Sequence, residues 1–277
     1  MSFAIGPGTA QGPASIKRPP LFEPDWLVDG EYHEEPLGIL KTGKESEVSL
    51  VARVGADGRT SYLAEKRFKS RMFRSFQDDT HYREDWFRGP GGARARRGIK
   101  RGREIGHRLL EGAWVWHEWS ELNHLYEAGV TVPPPAGQVT PTARAARDTR
   151  VPEAEGGYRM AFIGDAPVAA PRLASLRLER DEAEHLWHAV LDEVALMLLA
   201  RRAHGDLSAY NVLYWRERPV IIDLSQTVDL ATHAGARALV RRDLERLATY
   251  FERQGARVDP DAAWRETGAE RALEGRP

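Results

Sequence analysis

The chain has no cysteine among its 277 residues. That removes disulfide staples, thiolate metal centres and a cysteine nucleophile together. It also lacks a dominant charge: 40 Lys and Arg stand against 41 Asp and Glu, a formal net charge of −1. Bulk electrostatics therefore demand neither a nucleic acid nor an anionic surface as partner. No stretch approaches the roughly 18 to 20 apolar residues that cross a bilayer. The first twenty residues hold Gly and Pro but no compact apolar run behind a basic start, so no secretory signal is expected. The expectation is a cytoplasmic protein with no membrane partner. Its length suffices for one large domain or two lobes.

Residues 1–36 are Pro/Gly-rich and then acidic, and read as an N-terminal extension. From Leu37 the pattern becomes strand-like, with a break over Thr42–Ser46, a second strand over Val48–Val54, a turn at Gly55–Gly58 and a third strand over Ser61–Phe68. These make a β-meander. Residues 70–108 have little periodicity and a Gly89-Pro-Gly-Gly92 break, and are expected to form a mobile basic loop. A helical period runs from Leu109 to Ala128 with Gly129 as its C-cap. A further strand, Tyr158–Ile163, closes a first lobe spanning 37–163. In the second lobe, 164–255, Leu186, Val190, Leu191, Val194 and Leu198 mark a long amphipathic helix, and Arg237–Phe251 another. Residues 256–277 read as a short helix and tail. The expected class is α+β, a small antiparallel β lobe followed by a mainly helical one.

The chemistry concentrates between the two second-lobe helices, in His204-Gly-Asp206-Leu-Ser208-Ala-Tyr-Asn211 and Val220-Ile-Ile-Asp223. Alone, Asp206 reads as a residue capping a turn. The register of Asn211 five positions on, and of Asp223 after a returning strand, asks for more. Val212–Trp215 and Val220–Asp223 are expected to pair about a four-residue turn, Arg216–Pro219, bringing Asp223 opposite Val212. Two oxygen ligands would then share one end of a ribbon, with Asp206 on the loop leading into it. This is the D-x-x-x-x-N…D arrangement of a kinase catalytic loop. Asp206 would orient the proton of an attacking hydroxyl, while Asn211 and Asp223 would hold Mg²⁺, with Mn²⁺ as an alternative. His204 is expected to pack and bond the loop backbone.

Alternation in the third strand places Lys66 on the apolar face with Tyr62, Ala64 and Phe68, where it needs an anionic partner. Glu65 and Arg67 read as the opposite, surface face. Glu118 shares a helix face with Trp114, Glu121, Leu122 and Leu125 and is the expected counter-ion, with Glu111 and Glu121 as competing choices. Thr42, Gly43, Lys44, Glu45 and Ser46 lie between two strands, where backbone N–H groups can cover phosphates. The spacing is neither a Walker A nor a G-x-G-x-x-G loop. Arg88, Arg94, Arg96, Arg97, Lys100, Arg101, Arg103 and Arg108 form a basic run that reads as a solvated loop or as a contact for RNA.

Taken together these residues resemble the RIO family of atypical serine/threonine protein kinases. The resemblance covers about Leu37 to Phe251. It rests on Thr42–Ser46, Ala64-Glu-Lys66, the Glu118 helix, Met160-Ala-Phe162-Ile163-Gly164 as an inter-lobe hinge, His204–Asn211, Ile222–Gln226 and Arg242-Asp243. Ala209 departs from the acidic residue the family often carries there. The resemblance implies a minimal two-lobe kinase without activation segment or peptide-binding subdomains, and the chain indeed has no A-P-E after Asp223. It also implies ATP as nucleotide, with Met160, Phe162 and Ile163 meeting adenine, Val48 and Ser208 contributing to the nucleotide site, and Lys66 contacting phosphate. The acceptor would be a protein or the chain itself. An ATPase cycle through Asp223 and a part in small-subunit ribosome maturation are further implications. The competing reading is a small-molecule kinase of the aminoglycoside or choline kinase type, which also uses H-G-D-x-x-x-x-N. Only about fifty residues follow Asp223, few for the substrate pocket of such an enzyme.

Overall fold

The computed structural model describes residues 20–44, 46–69, 104–139 and 156–275, with the side chains of the first helix described from residue 115. Five antiparallel strands form the first lobe: β1 (Tyr32–Thr42), β2 (Ser46–Gly55), β3 (Thr60–Phe68), β4 (Pro135–Val139) and β5 (Gly157–Ala161), in the order β1-β2-β3-β5-β4. β1 begins at Tyr32, upstream of the Leu37 boundary read from the sequence, because its first turn of pairing is polar and exposed and carries no hydrophobic signal. Helix α1 (Glu104–Glu127) packs on this sheet and ends at Gly129, whose φ of +83° is a left-handed conformation suited to glycine. Most of the expected basic loop, from residue 70 to residue 103, lies outside the described residues, and so does Glu45.

One face of β3 departs from the sequence reading. Glu65, expected at the surface, is 7% exposed. Arg67 at 2.5 Å and Arg159 of β5 at 2.6 Å bond its two oxygens. Arg159 and Arg53 in turn share Glu34 of β1. Charged side chains from three neighbouring strands thus cover that face, and their aliphatic stems exclude water from the acid beneath.

The second lobe is built on α2 (Arg180–Leu199), whose Leu186, Trp187, Val190, Leu191, Val194 and Leu198 are all buried. Full burial of such side chains stabilises by about 1.5–3 kcal/mol each, as an upper bound. At its start the Glu182 carboxylate accepts the N–H of Glu179, satisfying one of the donors that a helix N-terminus leaves open. After α2 the chain forms a two-residue ladder of β8 (Arg202–Ala203) with β11 (Val228–Asp229), which brackets the hairpin of β9 (Val212–Trp215) and β10 (Arg218–Ile221). Helices α3 (Ala236–Arg253), α4 (Pro260–Glu266) and α5 (Ala269–Leu273) complete the lobe. The expected tail therefore contains two short helices.

Between the lobes, β6 (Gly164–Asp165) and β7 (Val168–Ala169) form a small hairpin directly after β5. A Cβ at Gly164 would lie 2.4 Å from the carbonyl oxygen of Val168, so only glycine allows this close turn. Residues 21–28 run behind the connection and touch both lobes. Phe22 packs on Trp215 at 5.3 Å between ring centroids, while Ser61 of β3 accepts the Val28 N–H and donates to the Trp26 carbonyl. Among the described residues no helix is long and apolar enough to cross a membrane.

Candidate active site

The ribbon that carries the acidic residues is tighter than its sequence suggested. Ile221, not Asp223, stands opposite Val212, and the turn holds two residues, Arg216 and Glu217, with φ of 49° and 59°. Positive φ at both positions gives the turn type whose twist matches a hairpin, normally written with Asn and Gly. Arg216 stacks its guanidinium on Trp215 at 4.1 Å, which helps to hold the unusual residues in place. Asn211 still faces the returning strand, since its carbonyl accepts the Ile222 N–H at 3.0 Å. Asp223 follows at once in a left-handed conformation, φ +67°, that turns it out of the ribbon. Such strain persists where surrounding contacts fix it, commonly at functional sites.

What fixes it is Lys66. The ammonium of this β3 residue lies 2.5 Å from Glu118 Oε1 and 3.2 Å from Asp223 Oδ1. Burial alone would push the Lys66 ammonium down, but the charge of Glu118, helped by Tyr158 and Asp223, outweighs it and holds the group well above the usual lysine range. Burial lifts the Glu118 carboxyl, with Lys66 opposing. Lys66 depresses Asp223 against the effect of its burial. Tyr158 packs against this pair and is raised by burial and by Glu118. Glu121, the competing choice, instead bonds Arg202 at 2.6 Å, and the side chain of Glu111 lies outside the described residues.

On the far side of Asp223 stands the loop that follows β8. His204 is 2% exposed, its Nε2 3.1 Å from the Ile222 carbonyl, and burial lowers its proton affinity. It braces the hairpin as a neutral ring. Gly205 has φ +80°, and a Cβ there would approach the Gln226 carbonyl to 2.4 Å. The loop can therefore lie against the turn after Asp223 only with glycine at this position. Asn211 Nδ2 donates to the Asp206 carbonyl at 2.9 Å and contacts Asp206 Oδ2 at 3.4 Å, which leaves its amide oxygen for another partner. Asp243 of α3 is 4% exposed and accepts the N–H groups of Gly205 and Leu207. Burial, opposed by those two bonds, pushes its carboxyl up to about 7.

A cavity of about 730 Å³ opens between the lobes. This falls within the range of small-molecule sites. Gly43, Lys44, Ser46 and Val48 line its first-lobe side, Met160, Phe162 and Ile163 its hinge side, and Lys66 and Asp223 its inner end. Thr42, Glu118, Asp206, Ser208 and Asn211 are not among its lining residues. The Thr42 hydroxyl is turned to Glu47 on β2, and Ser208 forms the outer turn of the loop, its carbonyl accepting the Asn211 N–H. The sequence reading missed Lys41 and Arg172, two cations that line the same cavity from opposite lobes, and also Leu213 and Ile222 on its floor. Lys41 directly precedes the loop that was singled out, but nothing local marks which face of β1 it occupies. Arg172 follows the hinge with no spacing signal of its own.

The donor set suits a hard cation. Asp223 offers a carboxylate and Asn211 an amide oxygen, while no cluster of three or more His, Asp or Glu that would hold a metal unaided occurs among the described residues. Two oxygen ligands completed by water and substrate phosphates are the usual environment of Mg²⁺.

Residues 146–263 match the model of the RIO domain. Over 240 residues the chain is 29% identical to the RIO-type serine/threonine-protein kinase Rio1 of Haloferax volcanii, covering 86% of this chain and 70% of that protein. It is 30% identical over 148 residues to Rio1 of Thermoplasma acidophilum, covering 53% of this chain and 68% of the relative. With the serine/threonine-protein kinase RIO3 of Caenorhabditis elegans the identity is 28% over 235 residues, but those span only 39% of the worm protein. By these matches the chain belongs to the RIO family of atypical serine/threonine kinases.

Proposed function

We propose that the enzyme transfers the γ-phosphoryl group of ATP to a serine or threonine hydroxyl of a protein, or of itself, with Mg²⁺ held by Asn211 and Asp223. The observation that carries this reading is the Lys66 ammonium bridging Glu118 and Asp223 at the inner end of the inter-lobe cavity. One buried cation there serves both the phosphates and the proposed metal ligand.

In this scheme the adenine lies along Met160–Ile163 and Val48, and the triphosphate runs toward Lys66 beneath the loop at Gly43–Ser46. The acceptor oxygen attacks the γ-phosphorus, the bond to the bridging oxygen breaks, and ADP leaves. The hydroxyl proton passes to the Asp206 carboxylate, which also orients the attacking oxygen. A divalent cation at Asn211 and Asp223 supplies charge neutralisation on the transferred group. Positioning and electrostatics carry most of the rate in such reactions, which fits a site made of fixed, paired charges.

The test is incubation of the full chain with γ-labelled ATP, alone and with cell lysate. Asp206→Ala is expected to lose transfer while ATP binding survives, and unchanged transfer in that variant overturns the assignment. Acid-stable label marks Ser or Thr, hydroxylamine-sensitive label marks an aspartyl phosphate, and free phosphate marks an ATPase switch. Label on a small molecule would support the aminoglycoside-kinase type of acceptor instead. A contact with RNA or the ribosome through the basic run of residues 88–108 would be tested separately, by salt-dependent RNA binding.

A further inference from the structure

The loop carboxylate has a charged neighbour that this scheme does not use. Arg246 of α3 places Nη1 2.7 Å from Asp206 Oδ1, and the two side chains are 43% and 42% exposed. An ion pair so open to water stabilises a fold little. Its place in the molecule is more telling. Arg242 and Asp243, one turn earlier on the same face of α3, hold the backbone of the loop: Arg242 bonds the Gly205 carbonyl, and Asp243 the N–H groups of Gly205 and Leu207. Arg241, off that face, turns away to Asp261. The i, i+1, i+4 positions of one helix thus grip three consecutive loop residues. The last of them reaches the side chain that must meet the acceptor.

The geometry divides the two oxygens of Asp206. Oδ1 accepts from Arg246, while Oδ2 lies 3.4 Å from Asn211 Nδ2. We propose that Arg246 is a positioning residue for phosphoryl transfer, fixing Asp206 Oδ1 so that Oδ2 faces the acceptor hydroxyl and Asn211 keeps its amide oxygen for the metal. The proposal rests on the reading of Asp206 as the proton acceptor. Without the guanidinium the carboxylate rotates about its own side-chain bonds, and Asn211 loses a fixed partner. Arg246 does not line the nucleotide cavity, so its loss is expected to leave ATP affinity unchanged.

The experiment measures ATP turnover by the full chain and its Arg246→Met, Arg246→Lys and Asp206→Ala variants, with melting temperature as a control. Arg246→Met is expected to lower kcat about tenfold, the scale on which small misplacements of a reacting group are felt. KM for ATP and the melting temperature should stay at their native values. Arg246→Lys keeps a cation without the planar fork and should recover to within about threefold of native kcat. Native kcat in Arg246→Met overturns the inference, as does a loss that appears only in KM for ATP, only through unfolding, or equally in the Lys variant. A fully active Asp206→Ala would instead remove the underlying reading, so the two failures are distinguishable.

Discussion

Lys66 and Glu118 form an ion pair of 2.5 Å with almost no access to water, the lysine 7% and the glutamate 0% exposed. Fifty-two residues apart in sequence, they tie β3 to α1. The same helix reaches the turn after Asp223 through His117, whose Nε2 lies 3.1 Å from the Thr227 carbonyl. Two elements that line the cavity, β3 and the turn after Asp223, are thereby fixed to one another through a single helix. A buried pair is a poor source of net stability, because desolvation of both charges offsets their attraction. Its value is to hold an ammonium where phosphates arrive.

Breaking one side of this pair should therefore cost more than removing both. Lys66→Met leaves Glu118 buried without its counter-charge. A loss of about 3–5 kcal/mol is expected, the range for orphaned buried charges. The double variant Lys66→Met with Glu118→Leu should regain most of it and still show no phosphoryl transfer. Urea denaturation beside γ-labelled ATP turnover separates the two effects. A double variant no more stable than the single one contradicts the account.

Asp223→Asn should abolish metal-dependent turnover while keeping the hairpin, since its neighbours Ile221 and Ile222 hold the ribbon through Val212 and Asn211. The pH consequence follows from the direction of its shift. Lys66 depresses the Asp223 carboxyl below the ordinary value of 3.8, so the pair contributes stability at neutral pH that is lost only as pH falls below that value. The side chain is 40% exposed, and solvent screening makes this contribution small. Acid titration of unfolding should show a shallower decline below pH 4 in the variant than in the native chain. Identical acid limbs would mean that Lys66 does not hold Asp223 in solution.

Asp243 titrates in the opposite sense. Burial raises its carboxyl from 3.8 to about 7, so the folded chain binds a proton between those values that the unfolded chain has lost. Its contribution to stability is therefore full below about pH 4 and declines as pH rises through 7. Asp243→Asn should remove this slope. An amide has one acceptor oxygen, so it cannot serve the N–H groups of Gly205 and Leu207 as two carboxylate oxygens do. Leaving one N–H unsatisfied costs about 1–3 kcal/mol. Stability of the native chain and the variant from pH 4 to 8 checks both statements, and a pH slope that persists in the variant rules out Asp243 as its source.

How much of this was legible in the sequence depends on whether the signal was local. The strands of the meander, the stripe of α2 and the spacing of Asp206, Asn211 and Asp223 repeat within a few residues, and composition rules read them directly. The partner of Lys66 could be inferred because a lysine on an apolar face needs an acid and Glu118 lay on a packed helix face. The hairpin register could not, because Arg216 and Glu217 adopt a turn that their types disfavour and that stacking on Trp215 supports. Glu65 was misplaced because the cover over it comes from Arg159, 94 residues away. Arg246 is equally invisible: its meaning depends on which face of α3 meets the loop 40 residues upstream.

Lys41 and Arg172 carry the last prediction. They line one cavity from opposite lobes, and burial together with the charge of Arg172 pushes the Lys41 ammonium down from its ordinary value. Like charges held in one cleft disfavour each other until an anion lies between them. A triphosphate would supply that anion, and Lys66 cannot serve alone because Glu118 and Asp223 already engage it. Lys41→Met and Arg172→Met should each weaken ATP binding by about tenfold, the scale of one charge-assisted hydrogen bond. Adenosine, which lacks the phosphates, should bind each variant as it binds the native chain. Without ligand, Lys41→Met should be no less stable than the native chain, since it removes a repulsion. Titration calorimetry with ATP, ADP and adenosine checks the series. Equal losses for adenosine and ATP would mean that these two cations shape the cavity rather than hold the phosphates.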